Sequence, residues 1–333
     1  MRKSPEVITI LGAGALGTAL AVLISDFKKA RVRLWDKDQG VINRIKESGK
    51  NPKYLPENIK IGKEIELFTD PQKAVKDSDS ILLAVPSFAI RDVCQKIHPG
   101  PEASILTTSK GLEEETGFFP SEIVENSLKN NNILHLSWVG FVKEIYRSIP
   151  AKVVLASKKQ KLLEEFGNIF NFKARGYQFS TSQDLTGTQL AGALKNVMAI
   201  GIGITGGLKE NAEIKKTLIR KGIEEMIVLG KALGAEKKTF LGPAGMKDLE
   251  ISSSSQSRNY SYGKAIFEKG VARVRQELKK RNITVEGFHT ASAIQRIMEK
   301  YNLSLPLIQE VYRVVHAGKD PKIAAQRLIR LTL

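Results

Sequence analysis

The run Val7-Ile-Thr-Ile-Leu11 passes directly into Gly12-Ala-Gly14-Ala-Leu-Gly17 and then into a helical pattern, and no other stretch limits the fold so strongly. Gly12 permits a tight turn out of a buried strand, Gly14 lets a ligand approach the backbone, and Gly17 lets the next helix pack close to the strand. The first amides of that helix, on Ala15, Leu16 and Gly17, lack intrahelical acceptors and carry the positive end of the helix dipole, which suits a diphosphate. Asp36, in Leu34-Trp35-Asp36-Lys37, falls about 20 residues past the motif at the end of a second strand, where a carboxylate accepts ribose hydroxyls. The combination predicts a dinucleotide site. Asp36 favours NAD, because a 2′-phosphate would meet its charge; Lys37 can offset that charge, so NADP stays open.

The rest of the first half alternates β-rich runs with helical ones. Strands are expected at Val32–Trp35, Ile65–Phe68, Ile81–Val85, Ile105–Thr108, Lys152–Leu155 and near Tyr177–Phe179, with helices at Thr18–Phe27, Gln39–Ser48 and Pro120–Leu128. Such alternation predicts an α/β fold with a doubly wound, mostly parallel sheet of the Rossmann type, covered by helices on both faces. Beyond Asp184 strand patterns nearly vanish and helical periodicity takes over, as in Ile214–Leu233, Ala265–Lys280 and Thr290–Tyr301. We therefore expect a dinucleotide-binding domain over 1–183 and an all-α substrate-binding and catalytic domain over 184–333. No Pro/Gly/Ser-rich linker separates them, so they are expected to pack around a shared cleft. The serine run Ser252–Ser255 reads as a loop on the active side.

Composition narrows the class further. At 333 residues and 42% hydrophobic, the chain can bury two cores and reads as soluble. The lone cysteine, Cys94, permits no disulfide within the chain, which points to a reducing cytoplasm. His98, His135, His289 and His316 lack metal-ligand spacing, so no catalytic metal is expected. A formal net charge of +17 raises nucleic acid as a partner, but lysine pairs such as Lys158-Lys159 and Lys237-Lys238 are scattered and no aromatic residues interleave with them. A solvated surface that attracts anionic substrates fits better. Met1 to Pro5 leads into a strand rather than a signal peptide. The apolar stretch Leu190–Leu208 contains Lys195 and Asn196, and so reads as a buried helix with no stable membrane insertion.

Along nearly its whole length the sequence resembles the NAD(P)-dependent glycerol-3-phosphate dehydrogenases. The likeness rests on ordered matches: Gly12–Ala21, Asn51-Pro-Lys-Tyr-Leu-Pro56, Ala84-Val-Pro-Ser87 and Ser109-Lys110-Gly111-Leu112-Glu113, then Gly192-Ala-Leu-Lys195-Asn196, Asn211-Ala212, Leu233-Gly-Ala235 and Thr239-Phe240. Ala244-Gly-Met-Lys-Asp248-Leu249, Ser257-Arg258-Asn259 and Val285-Glu286-Gly287 complete the series. The resemblance implies reversible reduction of dihydroxyacetone phosphate to sn-glycerol 3-phosphate by NAD(P)H, feeding glycerophospholipid synthesis. Its partner is then a small phosphorylated substrate and not nucleic acid; a homodimer is allowed.

The resemblance also implies roles. Lys195 is the catalytic acid/base, Lys110 lies near the reacting oxygen, substrate and cofactor, and Asp248 holds Lys195 or a substrate hydroxyl. Ser257, Arg258 and Asn259 serve the substrate phosphate and neighbouring cofactor atoms, and Glu286 contacts cofactor. The residue types suit these tasks. A lysine buried near a second cation loses basicity and can exchange the hydroxyl proton, and an arginine fork with an amide donor suits phosphate oxygens. Without the resemblance, Lys195 fits a structural ion pair equally well and Asp248 fits a helix cap.

Two departures stand out. Where the family has Ser-Gly-Pro-(Ser/Thr)-Phe-Ala-x-Glu, this chain has Ser137-Trp138-Val139-Gly140-Phe141-Val142-Lys143-Glu144, and Lys247 replaces the glycine before Asp248. An indole in place of glycine would block the nicotinamide pocket or redirect the loop. Two rival readings stay open: a related dehydrogenase acting on another small hydroxy acid or phosphate ester, and a catalytically silent dinucleotide-binding homologue. Retention of Lys110, Lys195, Asp248, Arg258 and Asn259 favours activity.

Overall fold

A computed structural model describes residues 6–142, 145, 151–281 and 283–332; Met1 to Pro5, and Lys143 and Glu144 of the departing loop, lie outside the described residues. The chain forms two compact units, one of Met1–Ser109 with Pro120–Leu185, the other of Lys110–Phe119 with Thr186–Leu333. A division at residue 183 does not anticipate that Lys110–Phe119 packs with the second unit.

In the first unit, β1 (Val7–Leu11), β2 (Arg31–Trp35), β3 (Glu66–Phe68), β4 (Ser80–Leu83), β5 (Ser104–Thr107), β6 (Ile133–Val139), β7 (Lys152–Ala156) and β8 (Gln178–Ser182) make one sheet. Its order is β3-β2-β1-β4-β5-β6-β7-β8, antiparallel at β6–β7 and parallel at every other pair. Strand order reverses between β1 and β4, which makes the carboxyl ends of these strands the crevice where doubly wound sheets take ligands. The connecting helices are α1 (Ala15–Asp26), α2 (Gln39–Ser48), α3 (Pro71–Val75), α4 (Ile90–Cys94), α5 (Pro120–Leu128) and α6 (Gln160–Phe170). Local chemistry fixes their ends. Asp38 caps α2, Gly49 closes it at φ 64°, and Asp70 caps α3 ahead of Pro71.

Strand β6 is not among the strands expected above, although Leu134-His-Leu-Ser-Trp138 alternates apolar and polar residues as a strand does. All seven are buried, and His135 Nδ1 is hydrogen-bonded across the sheet to Thr107 Oγ1 at 2.9 Å. Trp138 belongs to this strand. Its indole lies in the apolar core, edge-on to Tyr177 with centroids 5.1 Å apart, and the Tyr177 hydroxyl donates to the Ile145 carbonyl. The substitution of tryptophan for glycine is therefore absorbed by core packing within this unit.

The second unit contains α7 (Leu185–Leu208), α8 (Ala212–Ala232), α9 (Lys237–Leu241), a π-helical turn at Pro243–Lys247, α10 (Asp248–Ser252), α11 (Arg258–Lys269), α12 (Val271–Lys280), α13 (Glu286–Lys300), α14 (Pro306–Val315) and α15 (Pro321–Arg330). No strand follows β8 among the described residues. The single helix expected at Ala265–Lys280 is two helices, broken at Gly270 with φ 82°. Helix α7 is long and apolar enough to cross a membrane, yet 89% of its most apolar window is buried within the protein. Its glycines explain this. A Cβ on Gly203 would come within 2.1 Å of the Tyr260 carbonyl oxygen, and one on Gly263 within 2.1 Å of the Ile200 oxygen. Helices α7 and α11 thus cross backbone to backbone, the contact expected of a core helix.

Candidate active site

In the first unit the glycine turn is held tightly. Gly12 has φ 117°, and a Cβ there would lie 2.6 Å from the Ala84 oxygen; one on Gly17 would lie 1.9 Å from the Gly12 oxygen. Gly14 is different: no protein atom comes within 4 Å of a Cβ built there, and no side chain caps α1. The turn is therefore closed on its protein side and open at Gly14, where the amides of Ala15, Leu16 and Gly17 begin the helix. This shape fits a dinucleotide diphosphate. Asp36 accepts from the amides of Ala13 at 2.8 Å and Asp38 at 2.9 Å, so it braces the turn as well as facing the end of β2, and Lys37 beside it is exposed. Sequence reasoning gave no role to Asn51. Its buried amide donates to the Ala13 carbonyl at 2.9 Å and to Thr18 Oγ1 at 3.0 Å, pinning the turn from behind.

The second unit brings Lys110, Lys195 and Asp248 into direct contact. Asp248 is fully buried; its Oδ1 accepts from Lys195 Nζ at 2.7 Å and its Oδ2 from Lys110 Nζ at 2.5 Å. The carboxylate is thus shared by two ammonium groups and does not cap a helix. Burial by itself would raise the Asp248 carboxyl, but the two cations outweigh it and hold the group below the usual carboxylate range. For Lys195 burial wins. It pushes the amine down to about 8, with Lys110 adding to the effect and Asp248 opposing it. Ser252 Oγ, unassigned by the sequence reading, lies 2.9 Å from Lys195 Nζ. The i, i+4 spacing from Asp248 to Ser252 puts both on one face of α10 and is the pattern that could have revealed it. Lys247, the second departure, turns outward and pairs with Glu250 at 3.1 Å.

Around this cluster runs a ladder of amides. Asn196 Nδ2 donates to the Lys110 carbonyl at 2.8 Å, Asn259 Nδ2 donates to Asn196 Oδ1 at 2.8 Å, and the Gly287 amide donates to Asn259 Oδ1 at 3.1 Å. Glu286 stands 3.5 Å from Asn196 Nδ2, its carboxyl raised by burial against the pull of Arg258 and both lysines. Asn259 is thus largely committed to protein partners. Ser257 Oγ accepts the Tyr260 amide as the cap of α11, and Arg258 is exposed with Nη1 3.4 Å from the Thr284 carbonyl oxygen. Of the three residues matched to phosphate, Arg258 has the most donor capacity left over.

A doubly wound sheet with a turn shaped for a diphosphate, carried on one chain with a buried lysine of depressed basicity, defines the class of nicotinamide-dinucleotide oxidoreductases. Comparison with known proteins makes the assignment specific. Residues 7–163 match the model for the NAD-dependent glycerol-3-phosphate dehydrogenase N-terminus, and residues 184–326 match that for its C-terminus. The chain belongs to the NAD-dependent glycerol-3-phosphate dehydrogenase family. The glycerol-3-phosphate dehydrogenase (NAD(P)+) of Carboxydothermus hydrogenoformans is 35% identical over 95% of this chain and 94% of its own length; that of Clostridium acetobutylicum is 34% identical over 95% and 94%. A crystal structure of glycerol-3-phosphate dehydrogenase from Coxiella burnetii superposes with a TM-score of 0.87 at 28% identity, covering 97% of this chain and 98% of that one. A D-mandelate dehydrogenase, at TM-score 0.64 and 16% identity, shares the fold alone.

Proposed function

We propose that the chain reversibly reduces dihydroxyacetone phosphate to sn-glycerol 3-phosphate with NAD(P)H, in the cytoplasm, and so supplies glycerophospholipid synthesis. One observation carries the reading: a buried lysine, brought to about 8, is bonded to a carboxylate shared with a second lysine. When bound, the nicotinamide supplies hydride to the ketone carbon. Protonated Lys195 gives its Nζ proton to the carbonyl oxygen as charge builds there; in the oxidative direction the neutral amine takes the hydroxyl proton. The Lys110 ammonium stabilises the developing alkoxide. Asp248 and Ser252 fix the Lys195 nitrogen from two sides, so little reorientation precedes transfer. Arg258 grips phosphate, with Asn259 and Ser257 setting the start of α11 that carries it.

The intact Lys110–Asp248–Lys195 cluster speaks against a silent dinucleotide-binding homologue. Following NADH absorbance with dihydroxyacetone phosphate tests the proposal. Lys195→Ala should lower the rate by about 10³-fold or more while leaving NADH affinity within about two-fold of the parent. Near-normal rates in that variant would remove Lys195 from the reaction. Turnover of a 2-oxo acid in place of dihydroxyacetone phosphate would assign the chain to the related dehydrogenases.

A further inference from the structure

The helical unit has a polar cavity that the proposed reaction does not use. It encloses about 350 Å³ between the end of α7, the start of α8, the loop after α10 and the first turn of α11. Its α7 wall begins at Ile202, seven residues and thus about 10 Å along the helix from Lys195. The charge on its wall is unbalanced. Glu210 is already taken up, with Lys264 Nζ and the Tyr260 hydroxyl each 3.1 Å from its Oε1. Lys209 and Lys215 also line the cavity; neither has a carboxylate within 4 Å among the described residues, but after the Lys264 and Tyr260 hydrogen bonds the Lys215 charge also helps hold the Glu210 carboxyl down. The start of α8 is satisfied by the Asn211 side chain, so anion binding here would rest on the two ammonium groups.

We propose that this cavity is a second anion site, taking a small phosphate-bearing metabolite. With Lys264 bonded to Glu210, the one carboxylate on this wall, Lys209 and Lys215 leave an excess of positive charge that an anion stabilises, and phosphate oxygens accept from ammonium groups. The volume lies at the low end for small-molecule sites and is too small for a dinucleotide. Binding here reaches the reaction centre through a short covalent path. Ser254 and Tyr260 line the cavity, Ser252 holds Lys195, and Asn259 belongs to the amide ladder. The Ser257 amide donates to the Ser254 carbonyl at 2.9 Å and Ser261 Oγ donates to the Ser255 carbonyl at 2.9 Å, which ties the cavity loop to the start of α11.

Hydrogen exchange of the full chain, read by mass spectrometry with millimolar inorganic phosphate, tests the site independently of catalysis. Amides over 205–215 should exchange about three-fold more slowly or better with phosphate present. The double variant Lys209→Ala/Lys215→Ala should lose that protection and keep the basal rate with dihydroxyacetone phosphate. Equal protection in the double variant, or protection confined to the Gly12–Gly17 turn, would overturn the proposal. Equal protection by succinate would overturn the assignment to phosphate.

Discussion

Gly287 lies directly against the backbone of Asn196: a Cβ at 287 would sit 2.6 Å from the Asn196 carbonyl oxygen and 2.8 Å from Asn259 Oδ1. The first residues of α13 can therefore donate into the amide ladder only because no side chain intervenes. Gly287→Ala should gain up to about 1 kcal/mol in helix propensity and lose more, about 1–3 kcal/mol, to overpacking against main chain that cannot move aside. The ladder ends on the carbonyl of Lys110, so turnover should fall further than NADH affinity. Urea unfolding with steady-state kinetics checks both; a variant as stable and as fast as the parent would show that the ladder positions nothing.

In the proposed reaction Lys195, with Asp248 beside it, would set the pH dependence. An amine at about 8 is protonated below that pH and neutral above it. Ketone reduction needs the ammonium, so its rate should fall as pH rises through about 8; alcohol oxidation needs the amine and should rise through the same point. Asp248 raises the Lys195 pKa, opposing burial. In Asp248→Asn that support is gone, the inflection should move to lower pH, and kcat/KM should drop by about 10²-fold. An inflection that stays in place would mean that another group governs the profile.

The parts of the fold that could be read from residue order are those where one local rule dominates. The glycine turn, α2 with its Asp38 cap and closing Gly49, and the α/β-to-helical change after Asp184 are of this kind. Strand β6 carries a period-two pattern over Leu134–Trp138, and what residue order does not show is that its polar members His135 and Ser137 are buried as well, because that depends on neighbouring strands. The break at Gly270 was missed because one glycine within a basic helical pattern is tolerated as often as it terminates. Around Lys195, the residue types are visible in the sequence but their pairings are not. Lys110 and Asp248 are 138 positions apart, and only the packing of Lys110–Phe119 with the helical unit brings them to one carboxylate. Trp138 misled because a residue read as a loop substitution is a core strand residue.

The glycines of the turn should respond differently to the same methyl group. Gly17→Ala places a Cβ 1.9 Å from the Gly12 carbonyl oxygen and should destabilise the first unit outright, lowering Tm. Gly14→Ala meets no protein atom within 4 Å, so Tm should hold or rise slightly. Its methyl instead enters the space through which a diphosphate approaches the backbone, and NADH affinity should weaken about ten-fold or more, or about 1.4 kcal/mol. A Gly14→Ala protein with full NADH affinity would place the diphosphate elsewhere.

Glu225 on α8 gives the helical unit its own acid response. Its two carboxylate oxygens accept the Leu307 amide at 2.7 Å and the Ile308 amide at 3.1 Å, capping α14 from a neighbouring helix. Burial nevertheless dominates and raises the carboxyl to about 7, above its ordinary 4.5. A carboxyl raised on folding binds its proton more tightly in the native chain. Its contribution is therefore full below about pH 4.5 and is lost as pH rises through about 7, an effect on the order of 3 kcal/mol for a group so largely buried. Glu225→Gln cannot titrate. Its amide nitrogen cannot accept, so it keeps one of the two bonds to α14 and should be somewhat less stable than the parent near pH 5, where the parent carboxyl is mostly protonated, and gain on the parent as pH rises to 8. Urea midpoints at the two pH values check the sign: a parent that gains on Glu225→Gln as pH rises would mean that the carboxylate's bonds to α14 outweigh the cost of burying its charge.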